Sequence, residues 1–223
     1  MAQVLNVFDW VRHRLAPFYR ASRRKKFRLF LELTSVQPGQ RILDVGVDTG
    51  ENNPFENQAE HELAAAHRIT AVTLGDPRPI KQQYPGVRFV VADGCALPFK
   101  ERAFDTLLSN AVIEHLAAED RQRAFASEAV RVAQRGVITT PNYAFPIELH
   151  TALPLVHYLP WSVSRWVFRL LAGRENAAYM RQVRLLTRRG LRKLFPPGVR
   201  VRVIPVRAFV LPETLLAYFE HKA

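Results

Sequence analysis

The sequence has little cysteine and no long apolar run. Its 223 residues include one cysteine, Cys95, and no group of cysteine and histidine residues has the spacing of a zinc site, so we expect no disulfide and no metal centre. A lone cysteine favours a reducing, cytoplasmic setting. No window approaches the roughly 20 apolar residues of a spanning helix, and the N-terminus lacks a signal-peptide pattern. We therefore expect neither export nor membrane insertion.

Acidic residues are scarce in two segments of the chain, 1–30 and 165–207. The formal net charge is +12, and residues 1–30 carry eight Lys or Arg against one acid, while residues 165–207 carry twelve against one. Residues 31–164 carry eleven bases and sixteen acids, so basic flanks surround an acidic middle. Two interpretations stay open: a solvated arginine-rich surface, or contact with an anionic membrane surface, a phosphate-bearing substrate or RNA.

The chain also lacks internal repeats and long Gly, Ser or Pro linkers. With 48% hydrophobic and 23% charged residues, its composition is that of a globular protein, and 223 residues fit one domain. We predict a single domain with four parts: a basic N-terminal helical segment at 1–34, a cofactor-binding core at 35–142, a helical insert or lid at 143–186, and a C-terminal helix and strand pair at 187–223.

The middle of the chain alternates apolar runs with amphipathic segments, which is typical of a parallel sheet covered by helices on both faces. The predicted strands here are 41–47, 69–74, 87–92, 104–110 and 136–140. The predicted helices between them are 58–68, 79–84 and 119–133. This rhythm indicates a doubly wound sheet.

The flanking segments complete the predicted architecture. Residues 4–33 favour a helix whose apolar residues dock on the domain and whose basic run, 23–26, stays in water or meets an anionic membrane. The proline-broken, aromatic stretch 146–173 indicates inserted helices. A helix at 187–195, a strand at 199–206 and a last antiparallel strand at 214–220 follow, although 214–220 also fits a closing helix. The expected fold is a Rossmann-like α/β sheet of seven strands, mostly parallel, with a helical insert after strand five.

Carboxylates lie at or near the ends of three predicted strands: Asp44, Asp76 and Asp93. The carboxyl ends of parallel strands form the ligand-binding edge of such a sheet, and Gly46 and Gly50 allow close approach of a ligand to the first turn. These glycines do not fit the G-x-G-x-x-G pattern of dinucleotide folds. Acids suit a ligand with hydroxyls, an amine and a sulfonium but no phosphate, whereas each Asp alone also suits a turn or a cap.

Two longer runs carry a family resemblance: DGCALPF at 93–99 and FDTLLSNAVIEHL at 104–116. Over about residues 41–142 the chain closely resembles class I S-adenosylmethionine-dependent methyltransferases of the ubiquinone-biosynthesis type. The segment from TTPN at 139–142 to HYLP at 157–160 is similar to a bacterial subgroup of that family.

The resemblance implies S-adenosylmethionine as cofactor. By analogy, the methionine part lies near the first turn and over Asn110, the ribose meets Asp76, and the adenine amine meets Asp93 with Gly94 beside it. Asp48 stands where the family usually has a glycine, which brings a carboxylate close to the cofactor, and residues 51–57 lengthen the following loop. The implied cofactor-binding residues are Asp44, Gly46, Asp48, Gly50, Asp76, Asp93, Gly94 and Asn110.

Several histidines are candidates for the base that acts on the methyl acceptor. An oxygen nucleophile has to lose its proton, and His115 and His150 are the candidate catalytic bases, with His157 as a further candidate. His115 also suits a structural turn. Residues 109–112 lack the Asn/Asp-Pro-Pro-Tyr arrangement of several nitrogen methyltransferases, and Cys95 falls in the presumed adenine region, which argues against thiolate-assisted methylation of pyrimidines.

The aromatic insert suits a cover over an apolar acceptor. The sequence therefore favours methylation of an oxygen or carbon centre on a small or lipid-like metabolite. The alternatives are a basic RNA-associated protein that keeps the methyltransferase fold and a noncatalytic scaffold that has lost cofactor binding.

Overall fold

The structure is a computed structural model that describes residues 7–50, 57–171, 173–207 and 210–222. Its centre is a seven-stranded sheet with the order β3-β2-β1-β4-β5-β7-β6. The strands are β1 (Arg41–Val45), β2 (Arg68–Thr73), β3 (Arg88–Val91), β4 (Phe104–Asn110), β5 (Ala133–Pro141), β6 (Val199–Val206) and β7 (Thr214–His221). The first five strands pair in parallel and β7 runs antiparallel to both of its neighbours, which confirms the predicted fold class.

Helices cover both faces of the sheet. They are α1 (Val7–Thr34), α2 (Gln58–Leu63), α3 (Arg78–Lys81), α4 (Glu119–Val132), α5 (Trp161–Leu171), α6 (Gly173–Met180) and α7 (Arg188–Lys193). On one face, residues of α1, α2 and α3 share an apolar cluster with the sheet, and on the other face α4 and α7 do so. The result is the three-layer arrangement that buries both faces of a mostly parallel sheet.

The predicted strands are all present, with small shifts of their ends. β4 has the predicted bounds, whereas β5 is longer than 136–140 and runs from Ala133 to Pro141. The closing-helix alternative for 214–220 is wrong because β7 lies inside the sheet, between β5 and β6. Six consecutive β7 residues from Thr214 are buried, as expected for a strand with both faces covered.

Three helices are clearly shorter than predicted, among them α7, which spans Arg188–Lys193 instead of 187–195. α2 ends at Leu63 rather than 68, since Ala66 N donates to the Leu63 carbonyl in a turn and the parallel strand β2 begins at Arg68. α3 is a single turn, Arg78–Lys81, instead of 79–84. The connections from β1 to β2 and from β2 to β3 therefore contain only short helices. The buried residues of α2 are Ala59, Glu60 and Leu63.

The N-terminal helix packs on the sheet through its apolar side chains. Phe27 and Phe30 are buried in the cluster that includes β1, β2 and β7, and the Ser22 hydroxyl donates to Glu213 at 2.8 Å. Residues 4–6 of the predicted helix lie outside the described residues. Among the helices that the structure describes, none has the length and apolar content needed to cross a membrane.

The insert after β5 contains α5, α6 and a short 3-10 helix at Val156–Tyr158. Val156, Phe168, Ala177 and Met180 form a small apolar cluster of their own. The Tyr19 hydroxyl of α1 donates to the Leu149 carbonyl at 3.0 Å. The insert is thus held against α1, next to the carboxyl ends of β4 and β5.

Candidate functional site

The turn after β1 is shaped for close approach. Gly46 has a φ of +95°, and a Cβ at this position would overlap the Val112 side chain, so only glycine fits here. The backbone N–H groups of Gly46 and Val47 donate to the Val72 carbonyl of β2 at 2.8 and 3.0 Å. These bonds fix the start of the turn at the carboxyl edge of the sheet.

A cleft opens beside this turn. Its walls come from the turn itself, from α1 and from the ends of β4 and β5; they include Arg23, Lys26, Asp44, Asp48, Asn110 and Thr139. Acidic and basic side chains therefore face the same space. This mixture suits a ligand that carries both a positive and a negative group.

Asp48 is held by its own loop. Its Oδ1 accepts a hydrogen bond from Gly50 N at 2.9 Å, and its backbone N–H and carbonyl pair with the Asn57 side-chain amide at 3.2 and 2.9 Å. Asn57 closes the loop at its far end in a left-handed conformation with φ of 50°. The loop residues 51–56, whose extra length the sequence suggested, lie outside the described part of the chain.

Two buried carboxyl groups lie beneath the cleft. Asp44 of β1 and Glu60 of α2 are 8% and 1% exposed, and apart from the carboxyl group of Asp44 no group of another described residue donates to a Glu60 oxygen. Burial raises the pKa of Asp44 well above its usual range, and the charge of Glu60 raises it further. Burial also raises the pKa of Glu60 to about 7. Because two adjacent buried carboxylates repel each other, the pair retains a proton near neutral pH.

The acids after β2 and β3 are exposed and paired. Asp76 forms an ion pair with Arg78 at 2.6 Å, and this hydrogen bond holds the pKa of Asp76 below its usual value. Asp93 accepts from Cys95 N at 2.9 Å and from Arg121 at 2.8 Å, which lowers its pKa. Exposed ion pairs contribute little to stability, so a ligand donor can displace either arginine.

Gly94 and Cys95 follow Asp93 into the packing under α4. A Cβ on Gly94 would lie 2.6 Å from Cε2 of Phe125, so packing alone requires glycine here. The Cys95 Sγ donates to the Arg121 carbonyl at 3.3 Å, and burial raises the pKa of its thiol to about 11. A thiol that stays protonated is a poor nucleophile.

Asn110 ends β4 at the floor of the cleft. Its Oδ1 accepts a hydrogen bond from the Thr139 hydroxyl at 2.8 Å, which links β4 to β5. Ala111 then takes a positive φ of 58°, and the chain enters a 3-10 helix at Ile113–His115. This bend places Glu114 and His115 a few residues beyond the cofactor cleft.

His115 and His150 come together although 34 residues lie between them in the sequence. Their ring centroids are 5.2 Å apart, and the Tyr179 hydroxyl lies 3.3 Å from His115 Nδ1. Burial and the neighbouring His150 lower the pKa of His115 to about 4, so this imidazole is neutral at physiological pH. The insert thus completes a polar cluster that begins on β4.

Glu148 orients His150. Its Oε1 lies 2.6 Å from His150 Nδ1 and also accepts from His150 N at 3.0 Å. Its Oε2 accepts from both Thr151 N and the Thr151 hydroxyl at 2.7 Å. Glu148 is fully buried, yet its pKa is lowered: burial favours the neutral form, but the bonds from His150 and Thr151 outweigh it. A charged carboxylate fixes the proton on Nδ1 and leaves Nε2 as the reactive nitrogen.

The third candidate histidine has a different environment. His157 Nε2 lies 3.1 Å from the Tyr143 carbonyl, and its ring contacts Tyr143 and Tyr158. These contacts hold the insert together, away from the His115–His150 pair.

Sequence reasoning missed three carboxylates: Glu60, Glu114 and Glu148. Glu114 precedes His115 directly, but only the fold shows that it is buried and close to His150. Glu148 stands two residues before His150, a spacing that could have suggested the pair. No pattern joined Glu60 to Asp44.

Comparisons with known proteins agree with this geometry. Residues 43–139 match the family described as Methyltransferase domain. The chain is 29% identical over 85 residues to a demethylmenaquinone methyltransferase of Renibacterium salmoninarum, covering 38% of this chain and 34% of the relative. It is 28% identical over 124 residues to a probable tRNA methyltransferase 9B of Bos taurus, covering 54% of this chain and 25% of the relative. The chain therefore spans about a third or less of these relatives.

Among solved structures, the fold resembles that of 1,6-didemethyltoxoflavin-N1-methyltransferase from Burkholderia thailandensis, which was crystallised with 1,6-didemethyltoxoflavin and S-adenosylhomocysteine. The TM-score is 0.57 at 17% identity, with 97% of this chain and 85% of that chain covered. Residues 43–139, which match the family, include the turn after β1, the acids after β2 and β3, and Asn110. Residues 43–139 therefore match a methyltransferase domain family, and the chain shares the fold of class I S-adenosylmethionine-dependent methyltransferases.

Proposed function

We propose that this protein transfers the methyl group of S-adenosylmethionine to an oxygen or carbon centre of a small or lipid-like metabolite. The observation that carries the proposal is the cleft after β1, where a turn that admits only glycine meets acidic and basic side chains at the carboxyl edge of the sheet. The family to which residues 43–139 belong supports the reaction type.

The cleft fits the amino-acid part of the cofactor. That part carries one ammonium and one carboxylate, and the cleft offers Asp44 and Asp48 for the first and Arg23 and Lys26 for the second. The sulfonium adds a positive charge, which acids tolerate better than the phosphate-binding amides of dinucleotide folds do.

The remaining cofactor contacts follow the edge of the sheet. We propose that Gly46, Gly50 and Asn110 border the methionine moiety. Asp76 accepts from the ribose hydroxyls, and Asp93 accepts from the adenine amine with Gly94 beside it. In both cases the ligand takes the place of an arginine that now pairs with the carboxylate at the surface.

The acceptor is proposed to lie against His115 and His150. The protein aligns the acceptor, the methyl group and the sulfur for an in-line displacement and excludes water from it. His150, oriented by the buried Glu148, and the neutral His115 would contact the acceptor atom and promote loss of its proton.

The relatives act on different molecules, and one observation favours an acceptor that is reached from a membrane. On α5 large apolar side chains are exposed: Trp166 and Leu170 are each 64% exposed, and Trp161 is 41% exposed. Arg165 and Arg169 of the same helix are also exposed. Tryptophan, leucine and arginine on one short helix are typical of a segment that lies in the headgroup region of an anionic membrane.

The membrane contact is therefore proposed for α5 rather than for α1. The sequence suggested that basic residues 23–26 and their apolar neighbours meet the membrane. However, Phe27 and Phe30 are buried against the sheet, and Arg23 and Lys26 face the cofactor cleft. Among the α1 side chains that the structure describes, from residue 16 onward, no large apolar one is strongly exposed.

Methyl-group labelling tests the reaction. The full chain would be incubated with S-adenosylmethionine labelled in its methyl group and, separately, with an aqueous metabolite extract, a lipid extract and total RNA from bacteria. We expect label in the lipid or metabolite fraction, and that label should be lost with Gly46→Ala. Label found in RNA alone, or in no fraction, would contradict the proposal.

Vesicle flotation tests the membrane contact. The full chain should float with vesicles that contain anionic phosphatidylglycerol and less with neutral phosphatidylcholine vesicles. Trp166→Ser together with Leu170→Ser should abolish flotation without lowering the affinity for S-adenosylhomocysteine, whereas Arg24→Ser, an exposed basic residue on α1, should have a much smaller effect. Equal flotation of the α5 variant and the unchanged chain would refute the assignment.

A further inference from the structure

The polar cluster beside the cofactor cleft contains a set of metal-binding side chains. Glu114, His115 and His150 each place one ligand atom so that all three atoms lie within 4.8 Å of one another. Two atoms that bind one zinc ion at about 2.1 Å each are at most roughly 4 Å apart. Shifts of less than about an ångström in each side chain would therefore let all three reach a single ion.

The ligand types fit a divalent transition metal. Two imidazoles and one carboxylate are a common set for zinc and for non-haem iron, and they leave positions open for substrate or water. The two histidines come from different parts of the chain, one after β4 and one in the insert. This explains why sequence spacing gave no sign of the site.

Glu148 supplies the outer partner that such sites usually have. A metal-binding histidine almost always donates its other ring N–H to a carboxylate or a carbonyl, which fixes the tautomer and the ring orientation. Glu148 Oε1 lies 2.6 Å from His150 Nδ1, and Thr151 holds the other oxygen of Glu148. His150 is thus arranged to present Nε2 toward the cluster.

Glu114 provides an independent observation. Its carboxyl group is fully buried, and among the described residues no donor makes a hydrogen bond of good geometry to either oxygen, the Thr140 hydroxyl being a neighbour. A buried carboxylate without partners is costly and requires either a proton or a cation.

We propose that Glu114, His115 and His150 bind one divalent transition metal ion of the zinc type. Three side chains ligate the ion, with Glu148 positioning His150, and the acceptor oxygen takes an open position. The role of the ion in turnover rests on the proposed function. In that role the two histidines act on the acceptor through the ion that they bind.

The ion would lower the pKa of a bound acceptor hydroxyl, as metals do for bound water. The hydroxyl proton leaves to solvent water, and the oxygen forms a bond to the methyl carbon. The bond between that carbon and sulfur breaks, its electron pair stays on sulfur, and S-adenosylhomocysteine is released. This sequence requires no oxidant or reductant.

Metal binding is measured directly on the full chain without a histidine tag. After dialysis against EDTA, the chain would be titrated with Co²⁺ and followed by visible absorption, and zinc content would be measured by mass spectrometry after Zn²⁺ loading. We expect one equivalent of metal, a cobalt spectrum of low coordination number, and a rise in melting temperature with Zn²⁺.

Variants assign the ligands. His115→Ala with His150→Ala, and Glu114→Gln alone, should each reduce metal affinity by at least ~10-fold, a typical effect even of outer-shell changes. Glu148→Gln should also reduce metal affinity, but less than the ligand variants do. His61→Ala removes an exposed histidine of α2 and should change nothing.

Different results would overturn the metal site and the proposed methyltransferase function. Absence of stoichiometric metal, or unchanged metal binding in the double histidine variant, would overturn the metal site. The affinity for S-adenosylhomocysteine, measured on the same samples, tests the proposed function. If Glu114→Gln fails to fold, Glu114→Asp replaces it and should weaken metal binding while it keeps the charge.

Discussion

The cofactor cleft and the histidine cluster are neighbours, but they differ in their carboxylates: apart from the buried Asp44–Glu60 pair, the acids at the cleft reach solvent, whereas those of the cluster are buried. Asp48, Asp76 and Asp93 in and around the cleft are exposed, and each accepts hydrogen bonds from nearby groups. Glu114 and Glu148 in the cluster are fully buried. Exposed acids can exchange partners with a ligand at little cost, whereas buried acids fix the groups that they touch or require a cation. The first region is suited to reversible binding and the second to chemistry.

Removal of the His150 imidazole should lower turnover without lowering cofactor affinity, and this is the largest difference that we expect between the two regions. His150→Ala is expected to lower turnover on the order of 10²-fold or more, because acceptor activation is lost. The affinity for S-adenosylhomocysteine should stay within about twofold, since the variant leaves the cleft walls intact. Transfer of labelled methyl groups and calorimetry on the same samples measure the two effects. Equal losses in both would show that the regions are not separable.

The buried pair under the cleft predicts a pH dependence of stability. Between about pH 4.5 and about pH 7 the native state keeps a proton on Glu60 that the unfolded state has released, so the free energy of unfolding falls as the pH rises. The share that Glu60 contributes to this fall ends near pH 7, after roughly 3 kcal/mol, and Asp44, whose pKa is raised as well, extends the fall to higher pH.

Glu60→Gln should lack the part of this fall that Glu60 contributes. The difference in unfolding free energy between the variant and the unchanged chain, measured by urea denaturation, should therefore grow in favour of the variant from acidic to neutral pH. A difference that does not vary with pH would contradict the shared proton beneath the cleft.

Gly46 and Gly39 have similar backbone conformations, but Gly46 lies in the turn beside the cleft and Gly39 lies in a turn away from it. Gly46 has a φ of +95° and no room for a Cβ, while Gly39 has a φ of +81° and nothing within 4 Å of that position. Alanine at either site incurs the left-handed backbone cost of ~1–2 kcal/mol. Gly46→Ala should lose a further ~1–3 kcal/mol from overlap with Val112 and should also lose cofactor binding. Equal destabilisation of the two variants in urea would argue against a sterically defined turn.

The exposed ion pairs at the edge should matter least. Arg78→Ala should leave the melting temperature unchanged, since this side chain and Asp76 both lie in solvent. Cofactor affinity should stay the same or increase slightly, because the ribose no longer competes with the guanidinium for the carboxylate. Thermal melting and calorimetry check both statements, and a marked loss of affinity would show that Arg78 itself contacts the cofactor.

The contrast between the regions also explains what the sequence could predict. The five parallel strands follow from apolar runs of the right length that alternate with amphipathic segments, and the acids of the cleft stand at strand ends, where a local pattern is visible. β7 itself stayed ambiguous because an apolar run buried on both faces has no strand periodicity.

The histidine cluster depends on tertiary contacts that no local pattern encodes. Glu114 and His115 follow β4, His150 belongs to the insert, and Tyr179 reaches them from α6. The sequence indicated both histidines as candidates, but not that they meet, and it gave no sign that Glu148 and Glu114 would be buried beside them. Likewise, the exposed face of α5 became evident only once Phe168 was seen to occupy the small core of the insert.

Calorimetric titration of the full chain with S-adenosylhomocysteine tests the central claim most directly. We expect saturable one-to-one binding that raises the melting temperature. Asp48→Asn, which keeps the bond to Gly50 N but removes the charge, should weaken binding of the cationic S-adenosylmethionine more than that of S-adenosylhomocysteine. No heat and no thermal stabilisation with either ligand would contradict the account.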